Sequence, residues 1–288
     1  MTRYLVTGAS GMLGQDLQAA LARDPDARRE VTALSRAELD VTDRDAVLAA
    51  VGGHDLVINA AAYTNVDGAE THEDEAFAIN AAGIENLAVA AREHGARLLT
   101  ISTDYVFDGA GTSPYPEDAP RDPLNAYGRS KAEGERLALA AHPAGVFIVR
   151  TAWLYGAGGP NFAATMLRLA ASNPTVSVVD DQLGQPTWTA DLAAALVELA
   201  ESDATPGIYH ATNGGQTSWY GFARAIFAEA GLDPERVLPT DSASFVRPAP
   251  RPAYSVLGHA AWDRAGLAPL RDWREALAAA AASGALPA

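Results

Sequence analysis

Short apolar runs alternate with amphipathic stretches through the first half of the chain. Tyr4-Leu5-Val6-Thr7 reads as a strand, and Leu13, Leu17, Ala20 and Leu21 then recur at helical spacing. Glu30 to Leu34 predicts a second strand and Thr42 to Val51 a second helix. Asp55-Leu56-Val57-Ile58-Asn59 is a near-continuous apolar run, the pattern of a strand in the middle of a parallel sheet. From Glu75 to Gly95 the positions Ala76, Ile79, Gly83, Leu87 and Ala90 predict one long helix without a proline. Leu98 to Ser102 is a strand. The loop from Asp108 to Asn125 carries Pro114, Pro116, Pro120 and Pro123, which makes it ordered but not helical. Ala126 to Ala141 resumes the helix and Val146 to Arg150 is another buried strand. The expected fold class is α/β, a Rossmann-like doubly wound parallel sheet.

After Arg150 the strict alternation loosens. Gly156 to Pro160 is a loop, Phe162 to Ala171 a helix, Val176 to Val179 a strand and Asp191 to Ala200 a helix. Gly207 to Ala211 is a short strand that rejoins the main sheet, and Ser218 to Ala230 is a helix. The tail from Trp273 to Ala288 is alanine-rich and helical up to Gly284. Residues 1–150 are expected to form the sheet domain, rejoined by segments near 176–215. Residues 151–288 are expected to form a smaller C-terminal α/β lobe interleaved with it.

Composition narrows the partners. Of 288 residues, 48% are hydrophobic and 20% charged, enough for a full core. The net charge of −15 argues against a nucleic-acid partner, which needs a cationic face to displace counterions. Small anions would be held locally, by helix N-termini, glycine turns and particular arginines. There is no cysteine, so disulfides and thiolate chemistry drop out, and the six histidines show no metal-ligand spacing. No apolar run reaches membrane-spanning length, and Met1-Thr2-Arg3 leads straight into a strand without a signal-peptide pattern. A soluble cytoplasmic protein with no membrane partner is the expectation.

The chemistry begins at Gly8-Ala9-Ser10-Gly11-Met12-Leu13-Gly14, between the first strand and the first helix. Glycines there let the backbone turn, approach a pyrophosphate and pack helix on strand, while the helix N-terminus offers free N–H groups. A plain turn is the alternative, and the strand before with the helix after favours a dinucleotide site. The second strand ends in Ser35-Arg36, where NAD-selective folds usually carry a carboxylate, so a 2′-phosphate and hence NADPH is favoured, with NADH left open. Arg36 read blandly is a surface charge. Asp40, beside Val41, either caps the following helix or contacts adenine, and the cap is preferred. Ala60-Ala61-Ala62, before Tyr63, either leave room for a flat ligand over the sheet edge or pack tightly. Asn80 is either a satisfied core amide or a member of the site.

The strand ending Ser102-Thr103 and the helix carrying Tyr127 and Lys131, four residues apart and so on one face, bring a hydroxyl, a phenol and an ammonium together. A cation one turn away is expected to draw the phenol's pKa down toward the working range, letting Tyr127 act as general acid or base with Thr103 on the same substrate oxygen. With a dinucleotide loop this describes hydride transfer to a carbonyl. Arg247 and Arg251, in a loop stiffened by Pro248, Pro250 and Pro252, could clamp a diphosphate or be ordinary surface charges.

These residues resemble the extended short-chain dehydrogenase/reductase superfamily and, within it, the dTDP-4-dehydrorhamnose reductase family. The likeness runs nearly end to end. It includes Gly8-x-x-Gly11-x-x-Gly14, Asn59-Ala-Ala-Ala62-Tyr63-Thr64-x-Val66-Asp67 and Ser102-Thr103-Asp104-Tyr105-Val106-Phe107. It continues through Asn125-x-Tyr127-Gly128-x-Ser130-Lys131, Arg150-Thr151-Ala152-Trp153, Asn161-Phe162, Asp181-Gln182-x-Gly184-Gln185-Pro186-Thr187 and Arg251-Pro252. The resemblance implies NADPH-dependent reduction of the C4 keto group of dTDP-4-dehydro-β-L-rhamnose, with Tyr127 as proton donor, Lys131 as its partner and ribose ligand, and Thr103 near the keto oxygen. It sets Tyr105 and Trp153 beside the sugar and makes Asp104, Asn161, Gln185 and Arg251 substrate-side candidates. Related dehydratases are similar in carrying Thr-Asp-Glu after this strand; here Tyr105 replaces that second carboxylate. Some members use magnesium bridged at a homodimer interface, but only Asp16 keeps such a carboxylate while Ala190 and Arg274 fall at the other two positions, so no metal is assigned and a homodimer stays open. Two alternatives remain: a reductase of another dTDP-4-keto-6-deoxy sugar, and a non-catalytic NADP-binding regulatory subunit like that of methionine adenosyltransferase.

Overall fold

The computed structural model describes residues 1–24 and 28–286. Its first half runs β1 (Thr2–Thr7), α1 (Met12–Ala22), β2 (Arg29–Leu34), α2 (Arg44–Val51), β3 (Leu56–Asn59), α3 (Val66–Ala69), α4 (Glu73–Phe77), α5 (Gly83–His94), β4 (Arg97–Thr103), α6 (Ala126–Ala141) and β5 (Val146–Thr151). The second half adds β6 (Leu154–Tyr155), α7 (Phe162–Ser172), β7 (Val176–Val179), β8 (Leu183–Gly184), β9 (Thr187–Trp188), α8 (Thr189–Glu201), β10 (Gly207–His210), β11 (Thr217–Ser218), α9 (Trp219–Glu229), β12 (Val237–Thr240), α10 (Ala260–Arg264) and α11 (Trp273–Ala282).

Six strands form one parallel sheet in the order β10-β5-β4-β3-β1-β2. Because β2 and β3 lie on opposite sides of β1, the winding reverses at β1, and the crevice at the carboxyl ends of β1 and β3 is where such sheets take ligands. Helices cover both faces. Leu17, Leu192, Leu196 and Trp262 of α1, α8 and α10 pack on one, and Val47, Leu87 and Ala138 of α2, α5 and α6 on the other. A third cluster, with Tyr155, Met166, Phe222, Phe227 and Trp273, joins α7, α9 and α11 to the β7–β12 pair. Segments after Arg150 therefore serve both bodies: α8 packs against α1 and β10 extends the sheet, while α7, α9 and α11 build the second core.

Two expectations are corrected here. The helix from Glu75 to Gly95 is broken into α4, a π-helical turn at Ala78–Ala82 and α5. The widened turn lies against α6, where a Cβ on Gly134 would sit 2.0 Å from the Asn80 carbonyl oxygen. The second helix starts at Arg44 rather than Thr42, and its cap is Asp43, whose carboxylate takes the Asp45 and Ala46 N–H groups. Asp40 does not cap it; its carboxylate closes the preceding turn on the Thr42 N–H and hydroxyl. The tail is helical over Trp273–Ala282; Pro287 and Ala288 lie outside the described residues.

Candidate active site

The glycine turn is shaped by close approach. Gly8 has φ +69°, and a Cβ there would lie 2.5 Å from the Ala61 nitrogen, so the turn is seated directly on the end of β3. A Cβ on Gly14 would come within 2.2 Å of the Gly8 carbonyl oxygen, which lets α1 close on β1. Gly11 takes the N-cap position with no side chain over the helix end, leaving the first N–H groups of α1 to an anion. Ser10 is exposed and Met12 half-buried, whereas Leu13 is buried and anchors the helix in the core. Ala60, Ala61, Ala62 and Tyr63 are half-buried along the crevice. Asn59 braces it, taking the Thr7 hydroxyl at 2.6 Å and the Ala61 N–H at 3.1 Å.

Several sequence candidates are spent inside the fold. Asn80 is fully buried, its amide closing on both backbone groups of Tyr63 and on the Ser130 hydroxyl; it is a satisfied amide that holds Tyr63. Val41 is buried against Gly83. At the end of β2, Ser35 does not stand free: its N–H and hydroxyl both donate to Glu38, at 2.8 and 2.7 Å. Sequence reading missed this carboxylate because it arrives three residues late through a turn. Arg36 is mostly exposed, 3.8 Å from Glu75.

The last three residues of β4 meet one face of α6. Lys131 Nζ donates to the Ile101 carbonyl at 2.7 Å, the Ser102 hydroxyl donates to Glu135 at 2.6 Å, and Thr103 stands close enough to the Tyr127 phenol to ease its ionisation. Asn125 starts the helix by taking the Gly128 N–H, and Glu70 takes the Ala126 N–H. The expected lowering of the phenol is not what this geometry produces. Burial pushes Tyr127 up to about 12, eased by Thr103 and reinforced by the Asp104 charge, because the Lys131 ammonium is turned to a carbonyl. Lys131 is itself brought down to about 8 by burial, with Glu135 opposing. At neutral pH the phenol holds its proton and the lysine is mostly charged. Asp104 is buried and raised to about 6, burial being the main cause; the Thr103 hydroxyl donates to it at 2.9 Å, and its second oxygen has no partner.

On the open side, the Tyr105 ring meets that of Tyr127 edge-on at 5.9 Å, and the Arg251 guanidinium lies 6.0 Å from the Tyr105 ring centre. Arg251 is held by Asp67 at 3.0 Å and Arg247 reaches the same carboxylate at 3.7 Å. Trp153 follows β5 with φ +48°, rare for a residue with a side chain, and is stacked 3.5 Å from Trp219 at 8°. Asn161 and Gln185 are spent locally. Asn161 caps α7 through the Ala164 N–H and clasps the Gly156 and Gly159 carbonyls, while Gln185 brackets the backbone of Leu257. Among the described residues, no group of three or more His, Asp or Glu side chains could hold a metal ion, and no helix is long and apolar enough to cross a membrane.

The arrangement can bind a dinucleotide at the switch point and donate a proton to an oxygen beside it. The family described as RmlD substrate binding domain matches residues 2–285. The chain belongs to this family. A dTDP-4-dehydrorhamnose reductase from Streptomyces griseus is 54% identical over 281 residues, covering 96% of this chain and 91% of that protein. A probable dTDP-4,6-dihydroxy-2-methyloxan-3-one 4-ketoreductase from Streptomyces antibioticus is 49% identical over 278 residues, 96% of this chain and 93% of that protein. The crystal structure of a dTDP-4-dehydrorhamnose reductase from Bacillus anthracis in complex with NADP superposes with TM-score 0.93 at 39% identity, covering 98% of this chain and 100% of that one.

Proposed function

We propose that the protein is an NADPH-dependent reductase of the C4 keto group of dTDP-4-dehydro-β-L-rhamnose, yielding dTDP-β-L-rhamnose. The observation that carries the reading is the meeting of the α6 face that bears Tyr127 and Lys131 with the carboxyl end of β4 at Ile101 and Thr103, on the same sheet edge as the glycine turn at Gly8. A dinucleotide fits that turn, since Gly8 and Gly14 let it close on β3 and β1 while Gly11 at the N-cap leaves the α1 N-terminus open to a pyrophosphate. Bound NADPH would supply hydride to the carbonyl carbon. The chain's part is to place and protonate the carbonyl oxygen: Tyr127, protonated at neutral pH, gives its proton to that oxygen, and Thr103 orients it. Lys131 serves the nicotinamide ribose and the developing phenolate. Tyr105 and Trp153 flank the sugar, and Arg251, with Arg247, takes the diphosphate. The nucleotide sugar is the proposed partner and the cytoplasm the proposed setting.

The decisive experiment mixes the protein with NADPH and dTDP-4-dehydro-L-rhamnose and follows nicotinamide absorbance. Oxidation that collapses in Tyr127→Phe supports the reading; a silent wild type that still binds NADPH overturns it. The resemblance to the Streptomyces antibioticus ketoreductase favours a second reading, reduction of a different dTDP-4-keto sugar, and turnover compared across such sugars decides between the two.

A further inference from the structure

Glu135 lies one turn beyond Lys131 and two beyond Tyr127, so α6 carries a third chemically active side chain on the face that meets β4. It is 2% exposed. One oxygen accepts from the Ser102 hydroxyl at 2.6 Å and from Arg150 Nε at 2.8 Å. The other accepts from Arg150 Nη2 at 2.7 Å and Arg121 Nη1 at 3.3 Å. The buried carboxylate thus has four donors, and its pairing with Arg150, itself 1% exposed, is of the bidentate kind.

We infer that Glu135 is a positioning residue of the proposed reductase site, holding Ser102 and with it the Thr103 end of β4 in register with Tyr127, and supplying a buried carboxylate one helical turn from Lys131. The inference rests on the reading above. Two consecutive residues of β4 each bond to a different side chain of this face, Ile101 to Lys131 and Ser102 to Glu135, and Thr103 follows them beside Tyr127. The Ser102 link is the one that carries no reacting group, so its contribution is register. It also ties the proton donor's partner to β5, because Arg150 continues to the Glu117 carbonyl at 3.1 Å and His210 Nε2 at 3.3 Å.

Charge is the second part. The charged and titratable groups around the ladder are Tyr127 on α6, Asp104 on the turn after β4, Arg150 on β5, His210 on β10, and Arg121 and Glu117 on the proline loop. His210 is neutral at working pH, its proton affinity depressed to about 3 mainly by burial and then by Arg150. The Glu117 carboxylate takes the Ala261 N–H. Arg150 is bound to Glu135 itself, and Asp104 accepts from the Thr103 hydroxyl. Among the described residues, Glu135 is the charge that opposes the burial lowering Lys131.

The test compares Glu135→Gln, Glu135→Asp and the neutral pair Glu135→Gln/Arg150→Met with the wild type. Thermal melts establish folding. Steady-state kcat with the 4-keto sugar, and NADPH affinity by fluorescence, are measured from pH 6 to 9.5. In folded Glu135→Gln the alkaline limb of both profiles is expected to move down by about one pH unit, a tenfold loss at pH 9 with little change at pH 6.5. Glu135→Asp restores the limb. If the single variant does not fold, the neutral pair is measured instead and shows a smaller shift in the same direction. A folded variant with an unmoved limb in both profiles overturns the inference, since a merely structural role changes the melt and not the titration. Should the wild type bind NADPH without turning over the sugar, a shifted binding limb sustains the role of Glu135 while the reductase reading fails, and an unshifted one overturns both.

Discussion

Asp67 and Arg251 meet at 3.0 Å, joining the α3 segment of the sheet domain to the proline-rich loop of the chain's last fifty residues. The same carboxylate takes the Ala249 N–H at 3.3 Å, and Arg251 returns to the Ala249 carbonyl at 2.9 Å. The guanidinium is thus pre-placed beside Tyr105 before any anion arrives. Arg251→Ala should weaken binding of dTDP by about tenfold to a hundredfold, the worth of one or two charge-assisted hydrogen bonds. Isothermal titration with dTDP and with NADPH checks it: the first affinity falls and the second holds. Equal loss of both would place Arg251 in the scaffold instead.

Tyr127→Phe removes the proton and keeps the ring. With Thr103 left without its phenol partner, kcat should drop about 10²- to 10⁴-fold while NADPH affinity stays within about twofold. Thr103→Val, which removes the hydroxyl that both orients Tyr127 and bonds Asp104, should lose less. Steady-state kinetics on both variants decide. An unchanged kcat in Tyr127→Phe would remove the phenol from the reaction.

Asp104 and His210 bend the stability curve in opposite senses. The Asp104 carboxyl rises from 3.8 unfolded to about 6 folded, so between those values the folded state binds more protons and stability falls as pH rises. By pH 7 that costs on the order of 3 kcal/mol. His210 falls from 6.5 to about 3, so the unfolded state binds more protons there and stability falls as pH drops. Asp104→Asn should melt above the wild type at pH 7, the difference shrinking to nothing near pH 4. Melts across that range measure it, and a variant less stable than wild type at pH 7 would contradict the sign.

At the end of β2 Arg36 is mostly exposed, while the Glu38 carboxylate holds the N–H and hydroxyl of Ser35. Arg36→Ala should raise the KM for NADPH by about tenfold and leave that for NADH unchanged, because only the former carries a 2′-phosphate for a guanidinium to pair with. Glu38→Gln keeps an acceptor for Ser35 but removes a charge that would repel a 2′-phosphate, so it should shift preference further toward NADPH. A ratio of the two cofactors' kcat/KM that ignores both substitutions would place the phosphate elsewhere.

The main sheet was legible because its inner strands β3, β4 and β5 are largely apolar runs and its covering helices are periodic; Ala126–Ala141 falls where the pattern put it, as does Val176–Val179 in the second body. Local chemistry was legible wherever a residue acts through its neighbours in sequence, as with Gly8, Gly14 and the Tyr127–Lys131 face. The π turn at Ala78–Ala82 was not, since periodicity does not register one extra residue per turn and only the press of Gly134 on Asn80 explains it.

Sequence alone therefore determined the α/β class, the glycine turn and the pairing of Tyr127 with Lys131 on one face, all consequences of short-range periodicity and backbone freedom. Tertiary structure decided where charges and amides are spent. It turned Lys131 toward Ile101, set Glu135 and Arg150 as a buried pair behind it, and gave Asn80, Asn161 and Gln185 structural partners. Those outcomes depend on which groups lose water together, and burial is a property of residues brought close in space from distant parts of the chain.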